Sequence, residues 1–306
     1  MSRKNDPSRR KYLKRSILLY IMLASPVLWY LLICYVPMFG IVIAFQKYSI
    51  FRGVMGSPWV GLDNFAKFLK EPYFWQVLKN TFLLGFFNTL INFPLPIILA
   101  LMFNELHAGR LKKVAQTISY LPYFVSTVAL VSILTSILSP SRGVVNAIIK
   151  ALGGEGVSFM LEPAWFRPIY ILLGSWRGTG WGTIIYLAAM AGVDPEMYQV
   201  AEIDGAGRFR RIWNITLPSI LPTITVLLIL AIPGVLGADF ETVLLLQQPL
   251  TMNVADVVAT YVYRRGLQDR KFDYATAVGL MFSVISMVFI YICNSLARRK
   301  GEISLW

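Results

Sequence analysis

Residues with the chemistry needed for catalysis are few in this 306-residue chain. No Gly-x-x-x-x-Gly-Lys-Ser/Thr segment occurs, so the chain lacks the loop that holds ATP phosphates in many ATPases. His107 is the single histidine, and no Ser-His-Asp set can be assembled around it. Cys34 and Cys293 fall in apolar stretches, without the paired spacing of a metal site. We therefore expect no enzyme activity, bound cofactor or metal ion in this chain.

Several ionisable residues lie inside long apolar runs, where a charge is costly unless it faces a cavity or a partner. Arg177 lies about midway along one run, and Asp239 and Glu241 lie late in another. One interpretation is an internal ion pair that holds helices together. The other is a solvated path, which suits sugars because they stack on aromatic rings and exchange hydrogen bonds with amides and carboxylates. The candidate path residues are Asn88, Asn92, Trp176, Arg177, Trp181, Asp239, Glu241 and Gln247.

The apolar runs themselves indicate a membrane protein. Hydrophobic residues make up 56% of the chain and the mean hydropathy is +0.59, more than a soluble fold of this size could bury. Backbone amides in hydrocarbon must bond within their own segment, which predicts an all-α integral membrane protein. Windows of about 19 residues predict six transmembrane helices within residues 17–296. Their approximate bounds are 17–45, 77–106, 119–138, 164–190, 219–246 and 274–296.

The lysine and arginine residues predict the orientation of these spans. Clusters lie in the tail of residues 1–16, after the second span, after the fourth span and in the tail of residues 297–306. With six spans these clusters fall on one side, and positive charge marks the cytoplasmic side, so we predict two cytoplasmic termini. The net charge of +13 does not indicate a nucleic-acid partner, because the positive residues are dispersed between apolar runs.

The predicted outer side has two further features. Aromatic residues between the first two spans predict an interfacial helix at the headgroup level, and they are Trp59, Phe65, Phe68, Tyr73, Phe74 and Trp75. A positive cluster that opposes the orientation consists of Arg264, Arg265, Arg270 and Lys271, partly offset by Asp256, Asp269 and Asp273. This cluster and Arg177 suggest an anionic substrate, whereas Asp239 and Glu241 would repel one.

The loop of residues 194–218, between the fourth and fifth spans, has a distinctive pattern. Asp194-Pro195-Glu196 predicts the start of a short helix that runs to Ile203. The glycines of Asp204-Gly205-Ala206-Gly207 permit positive φ and predict a turn, after which Phe209 to Ile215 resume as a helix. This cytoplasmic helix-turn-helix has small residues at its tip, which would let another protein approach its backbone. The alternative is a hairpin that merely connects two spans.

This loop resembles the cytoplasmic coupling loop of permeases in binding-protein-dependent ABC importers. The pattern of that family is Glu-Ala-Ala, two residues, Asp-Gly-Ala, and a spacer ending in Ile-x-Leu-Pro. Asp204-Gly205-Ala206, Ile215-Thr216-Leu217-Pro218 and Ala201 match it in order and spacing, whereas Gln199 and Val200 replace Glu and Ala. The resemblance implies contact with an ATPase for Gln199, Ala201, Asp204, Gly205, Ala206, Phe209, Leu217 and Pro218.

The resemblance extends to the LplB-type branch of carbohydrate permeases. It is found in the tracts Trp181 to Ala191, Val257 to Leu267, Tyr274 to Leu280 and the final Ser304-Leu305-Trp306. For this family it implies a second related permease, two ATPase subunits that bind ATP and Mg, an external sugar-binding protein, and a location in the bacterial cytoplasmic membrane.

The function implied by this resemblance is ATP-driven import of a carbohydrate by alternating access, with oligosaccharides, acidic ones included, as the expected substrates. Two other hypotheses stay open. An ion-coupled secondary transporter would use the carboxylates inside the spans as coupling sites. A membrane scaffold that transports nothing would use the hairpin to recruit a soluble partner.

Overall fold

The computed structural model describes residues 7–106 and 109–299, with side chains described from residue 16 to residue 295 inside those ranges. His107, Lys300 and Ser304-Leu305-Trp306 lie outside the described residues. Within them the chain forms seventeen α-helices and no β-strand, which confirms the predicted all-α fold. The first and last helices extend into the predicted terminal tails, because they begin at Pro7 and end at Arg299.

Nine helices lie in the first half of the described chain. They are α1 (Pro7–Tyr30), α2 (Val36–Met38), α3 (Gly53–Gly56), α4 (Asp63–Leu69), α5 (Pro72–Asn92), α6 (Pro94–Glu105), α7 (Arg110–Tyr120), α8 (Thr127–Ile137) and α9 (Val144–Ala151). The second half contains α10 (Pro163–Ala191), α11 (Pro195–Ile203), α12 (Arg208–Arg211), α13 (Leu217–Ala231), α14 (Phe240–Leu246), α15 (Met252–Ala255), α16 (Val258–Tyr263) and α17 (Phe272–Arg299).

Four continuous helical segments of the described chain are long and apolar enough to cross a membrane. They are Ser16–Phe45, Pro72–Glu105, Arg208–Leu236 and Phe272–Ser295. A fifth candidate is bent, since Arg110–Phe124 and Thr127–Ile137 meet at 103°. The predicted third span, 119–138, is therefore not one straight helix. Its bend follows a 3-10 turn that contains Pro122, whose missing N–H weakens the helical ladder.

The predicted fourth span, 164–190, is helix α10, with 29 residues. It is long enough to span a bilayer, at roughly 43 Å, but not apolar enough to be counted with the other four. This helix packs against α5, α6, α7, α13 and α14, so protein rather than lipid surrounds much of it. Helix α7 approaches closely, because a Cβ built on Gly180 would lie 1.9 Å from the Ser119 carbonyl oxygen. Central packing therefore allows polar residues that a lipid-exposed helix would exclude.

The predicted fifth span, 219–246, ends earlier than expected. Helix α13 passes into a 3-10 turn at Ile232–Leu236, and Gly237 is extended, so the helical segment stops near Leu236. Pro233 in this turn lacks the N–H that would continue the helix. Asp239 and Glu241 consequently lie at the start of the separate helix α14 rather than late in a span.

The aromatic residues between the first two spans divide between two environments. Phe68 and Phe74 are buried in a core with Val77, Tyr261 and Val278, whereas the predicted interfacial residues Trp59 and Trp75 are exposed. The prediction of one interfacial helix was therefore wrong for the two phenylalanines. Both pack against chain segments near the C-terminus, which spacing within the segment cannot indicate.

Candidate functional site

A cavity of about 270 Å³ lies beside the middle of α10. Residues of α5, α8, α10 and α14 meet there, together with the bend between α7 and α8. Its polar lining comprises Asn88, Tyr123, Thr127, Tyr170, Arg177, Asp239 and Thr242. The structure therefore brings three of the predicted path residues, Asn88, Arg177 and Asp239, onto one cavity.

Arg177 contributes a positive charge to this cavity without a carboxylate partner. Its Nη1 donates to Thr127 Oγ1 at 2.9 Å. Among the described residues, the ion pairs within 4 Å do not include Arg177. The predicted alternative, an internal ion pair that holds helices together, is therefore not formed by Arg177, Asp239 or Glu241 among the described residues. The guanidinium keeps several N–H donors free for other partners.

Asp239 is held in place as the first residue of helix α14. Its Oδ2 accepts from the backbone N–H of Thr242 at 3.2 Å and from the Thr242 hydroxyl. The backbone N–H of Asp239 donates to the Tyr170 hydroxyl at 2.9 Å. A capped helix start of this kind fixes the carboxylate position.

Two further path residues, Glu241 and Gln247, do not line the cavity. Glu241 is exposed in the first turn of α14. Gln247 follows the last residue of that helix, and its Oε1 is buried without a hydrogen-bond partner among the described residues. Trp176 also lies outside the lining, with 52% of its surface exposed.

Asn92 and Trp181 support the cavity wall from behind. Asn92 Nδ2 donates to Asn88 Oδ1 at 2.7 Å, and the Ser175 hydroxyl donates to Asn92 Oδ1. Trp181 stacks on Tyr123, with ring centroids 4.6 Å apart and planes within 4°. These contacts hold the Asn88 amide and the Tyr123 ring, and both residues line the cavity.

The sequence pattern does not predict the lining residues Tyr123, Thr127, Tyr170 and Thr242. One signal is present for Tyr170, which lies seven residues before Arg177 and so on the same face of α10. No local signal exists for Tyr123 or Thr127, because the bend between α7 and α8 places them there.

The loop of residues 194–218 has the predicted helix-turn-helix form. Asp194 Oδ1 accepts from the backbone N–H of Glu196 at 2.9 Å and begins α11. The turn places Gly205 at φ +74°, a conformation that side chains disfavour. It closes where the Ala206 backbone N–H donates to the Ala201 carbonyl at 2.8 Å.

The tip of this hairpin is apolar and exposed, while its base is tied down. Ile203 and Phe209 have 86% and 81% of their surface exposed. At the base, the hydroxyls of Tyr198 and Thr216 lie 2.9 Å apart and join α11 to the segment leading into α13. Of the remaining predicted coupling residues, Gln199, Asp204 and Pro218 are exposed and Leu217 is half-buried.

Two of the four positive residues predicted to lie on the outer side, Arg264 and Arg265, are neutralised. Arg264 donates to both oxygens of Asp256, whose side chain is fully buried. Arg265 pairs with Glu71 at 2.8 Å and with Asp269 at 3.2 Å. We call these five residues, together with Tyr73, Tyr261 and Tyr274, the outer cluster. The expected offset is confirmed for Asp256 and Asp269, whereas Asp273 is in no ion pair among the described residues. This surface therefore contributes less positive charge than its sequence suggests.

Tyrosine hydroxyls complete the outer cluster. Tyr73 donates to Asp256 Oδ2 at 2.7 Å, and Tyr261 and Tyr274 donate to Glu71 Oε2 at 2.9 and 2.6 Å. Burial raises the pKa of Glu71, but the hydrogen bonds from these two tyrosines and the charge of Arg265 outweigh it, so the net pKa is lowered. For Arg264 the directions are reversed. Burial lowers its pKa, but its hydrogen bonds and charge pairing with Asp256 outweigh this, so the net pKa is raised.

A comparison with known families decides what kind of protein has this fold. The family described as "Binding-protein-dependent transport system inner membrane component" matches residues 92–301, more than half of the chain. The chain belongs to this family. The permease is therefore a multi-pass protein of the cytoplasmic membrane. Among the described residues, no group of three His, Cys, Asp or Glu could hold a metal ion in it.

Individual relatives confirm the resemblance to LplB-type permeases. The permease is 46% identical to the polygalacturonan/rhamnogalacturonan transport system permease protein YteP of Bacillus subtilis, over 93% of this chain and 88% of the relative. It is 45% identical to Protein LplB of the same organism, over 96% and 92% of the two chains.

Solved structures of a bacterial ABC transporter also match this chain. The crystal structure of a bacterial ABC transporter involved in the import of the acidic polysaccharide alginate matches with a TM-score of 0.88 and 41% identity, covering 95% of this chain and 99% of the other. A second structure of that kind, in complex with alginate pentasaccharide-bound periplasmic protein, matches at 0.88 and 40%, covering 96% and 99%.

Proposed function

We propose that this permease is one membrane subunit of an ABC importer that moves an acidic oligosaccharide into the cell by ATP-driven alternating access. The coupling-type hairpin carries the proposal, because its apolar tip is exposed while its base is tied to the segment leading into α13. The relatives support the substrate class. One is named for polygalacturonan and rhamnogalacturonan transport, and a matched structure imports alginate.

The proposed topology has six spans with both termini in the cytoplasm. The four long apolar segments, the bent pair and helix α10 make six. Helix α10 counts because its length, roughly 43 Å, exceeds the roughly 30 Å hydrocarbon core of a bilayer. With six spans the hairpin lies on the cytoplasmic side, together with the positive clusters.

On this proposal the hairpin docks on an ATPase subunit. Ile203 and Phe209 supply apolar contact area, and small residues at the turn allow close approach of the partner's backbone. Gln199 is neutral where the family pattern has Glu, so we expect no ionic contact from that position. Closure of the ATPase pair would push the hairpin, and the helices attached to it would rock and change which side of the path is open.

The proposal needs partners that this chain does not supply. These are a second related permease, two ATPase subunits carrying ATP and Mg, and an external sugar-binding protein. The matched complex that contains a sugar-loaded periplasmic protein supports the last of them.

The test is ATP hydrolysis by the assembled complex, with and without loaded binding protein. Gly205→Asp should abolish the stimulation by binding protein while assembly survives, because φ +74° strains any side chain at the hairpin turn. Gly61→Asp, at φ +61° and also in open space, lies on the proposed outer side and serves as a control for assembly and for basal ATP hydrolysis. An assembled Gly205→Asp complex that binding protein still stimulates as it does wild type would contradict a coupling role for the hairpin.

The same preparation separates the other hypotheses. An ion-coupled transporter would move sugar when a proton or sodium gradient is imposed without ATP, and no ATPase would co-purify. A scaffold would move no sugar under either condition. Membership in the binding-protein-dependent family favours the ATP-driven importer over both.

A further inference from the structure

The cavity beside α10 contains a positive charge that the described part of the chain does not neutralise. Arg177 donates to a neutral hydroxyl, Thr127 Oγ1, and has no carboxylate within 4 Å among the described residues. A half-buried cation is costly unless a partner or water compensates it. The cavity wall combines polar side chains with two leucines and two glycines, and an anionic ligand group could enter beside Arg177.

We propose that this cavity binds one uronate unit of the transported oligosaccharide and that Arg177 binds its carboxylate. This inference rests on the proposed function, and it assigns the recognition of acidic sugars to one residue. The planar guanidinium has five N–H donors, one of which is directed at Thr127, so two others can hold a carboxylate in a bidentate pair.

The other lining residues provide the contacts that the rest of a sugar ring needs. Tyr123 offers a ring face that Trp181 holds by stacking at 4.6 Å. Asn88 offers an amide that Asn92 orients at 2.7 Å. Because second contacts hold these groups, little side-chain entropy is lost when a sugar binds.

Asp239 determines which way round the sugar binds. Its carboxylate is fixed as the cap of α14 and would repel a uronate carboxylate, but it can accept hydrogen bonds from sugar hydroxyls. The uronate carboxylate is therefore placed toward Arg177 and the hydroxyls toward Asp239. The volume of about 270 Å³ lies just below the roughly 300 to 1,000 Å³ of drug-sized pockets, which suits one sugar unit at a time.

Arg167 is a matched control on the same helix. It lies ten residues before Arg177, its Nη2 donates to the neutral Asn80 Oδ1 at 3.1 Å, and it too has no carboxylate within 4 Å among the described residues. It does not line the cavity. If an effect came merely from removing an arginine from α10, substitution of Arg167 and substitution of Arg177 should produce it equally.

The experiment measures ATP-dependent uptake into proteoliposomes that contain the full complex and saturating binding protein. The probes are trigalacturonate and its methyl ester, which keeps the rings and removes the charge. Arg177→Gln should lower the uptake rate of the acid relative to the ester by about 10-fold to 100-fold, because bonds to a charged group are lost. Arg167→Gln should leave this ratio and the basal ATP hydrolysis unchanged.

Arg177→Lys provides a second variant, which keeps the charge and loses the bidentate geometry, so it should lower the ratio less than Gln does. The inference is overturned if Arg177→Gln lowers acid and ester uptake equally, or if Arg167→Gln changes the ratio as much. If Gln at 177 prevents assembly, an unchanged ratio in the Lys variant overturns it. Failure of the proposed function is distinguishable, because the wild-type complex would then take up neither probe, and the inference would fall with it.

Discussion

The arginines of the outer cluster and the arginine of the cavity occupy contrasting environments. Arg264 and Arg265 each bond to carboxylates of the chain, and tyrosine hydroxyls saturate those carboxylates further. Arg177 bonds to one threonine hydroxyl and lines an open volume. A cation neutralised by its own chain stabilises the fold, whereas a cation left without a carboxylate partner is available to a ligand.

The largest expected effect is on the buried pair of Asp256 and Arg264. Asp256→Ala should destabilise the permease by about 3 to 5 kcal/mol, because removal of the buried carboxylate leaves Arg264 without its partner. Thermal unfolding of the purified complex, followed by loss of the monodisperse peak, measures this. Adding Arg264→Met to Asp256→Ala should recover part of the loss. An Asp256→Ala variant as stable as wild type would contradict a stabilising role for the paired arginines.

A smaller effect is expected at Glu71. Glu71→Gln should destabilise by about 2 kcal/mol, because it weakens charge-assisted hydrogen bonds from Arg265, Tyr261 and Tyr274. The same unfolding measurement at neutral pH tests it. Arg265→Gln combined with Glu71→Gln should cost less than the sum of the two single variants, since they share one interaction. Strict additivity would mean that this pair contributes nothing.

The lowered pKa of Glu71 adds a pH dependence with a defined sign. A carboxyl whose folded pKa lies below its ordinary value of 4.5 contributes stability above that value and loses it as the pH falls through the folded pKa. Between pH 7 and pH 3.5, wild type should therefore lose more stability than Glu71→Gln, and the two unfolding curves should converge at the acidic end. Parallel curves would contradict the paired state of Glu71.

The exposed pair of Arg265 and Asp269 should matter least within the outer cluster. The residues are four apart on one helical turn, and 38% of the Asp269 side chain is exposed. Asp269→Asn should cost about 0.3 to 0.5 kcal/mol, and added salt should remove even that difference. A salt titration of the unfolding midpoint checks it. A larger and salt-resistant loss would show that Asp269 belongs with the buried pairs.

Arg177→Gln should change stability by no more than Asp269→Asn does, within about 0.5 kcal/mol, because the lost bond to Thr127 is offset by removal of an unpaired charge. The unfolding measurement used for Asp256→Ala applies here too. A loss as large as that of Asp256→Ala would erase the contrast between the two regions and would assign Arg177 to the fold.

Elements defined by neighbouring residues were predictable from the sequence. The hairpin is one case, because Asp194 caps a helix locally and Gly205 permits the positive φ of the turn. Helix α10 was predicted within one residue at each end, since Pro163 and Gly192 bound it. The bend before Thr127 and the early end of the fifth span were not predicted, although Pro122 and Pro233 mark both places. A proline in an apolar run permits a break, and packing decides whether the chain bends there.

The sequence alone determined that this chain is helical and membrane-embedded, because hydrocarbon accepts only long apolar segments whose backbone bonds are internal. It also determined the hairpin and its family pattern, which depend on contiguous residues. The pairing of charges, by contrast, depends on how distant parts of the chain pack together. Glu71 and Arg265 are 194 residues apart, and Tyr73 and Asp256 are 183 apart. Contacts between residues so far apart in sequence depend on how the helices pack. The sequence alone therefore does not show that Arg265 pairs with carboxylates whereas Arg177 bonds to a threonine hydroxyl.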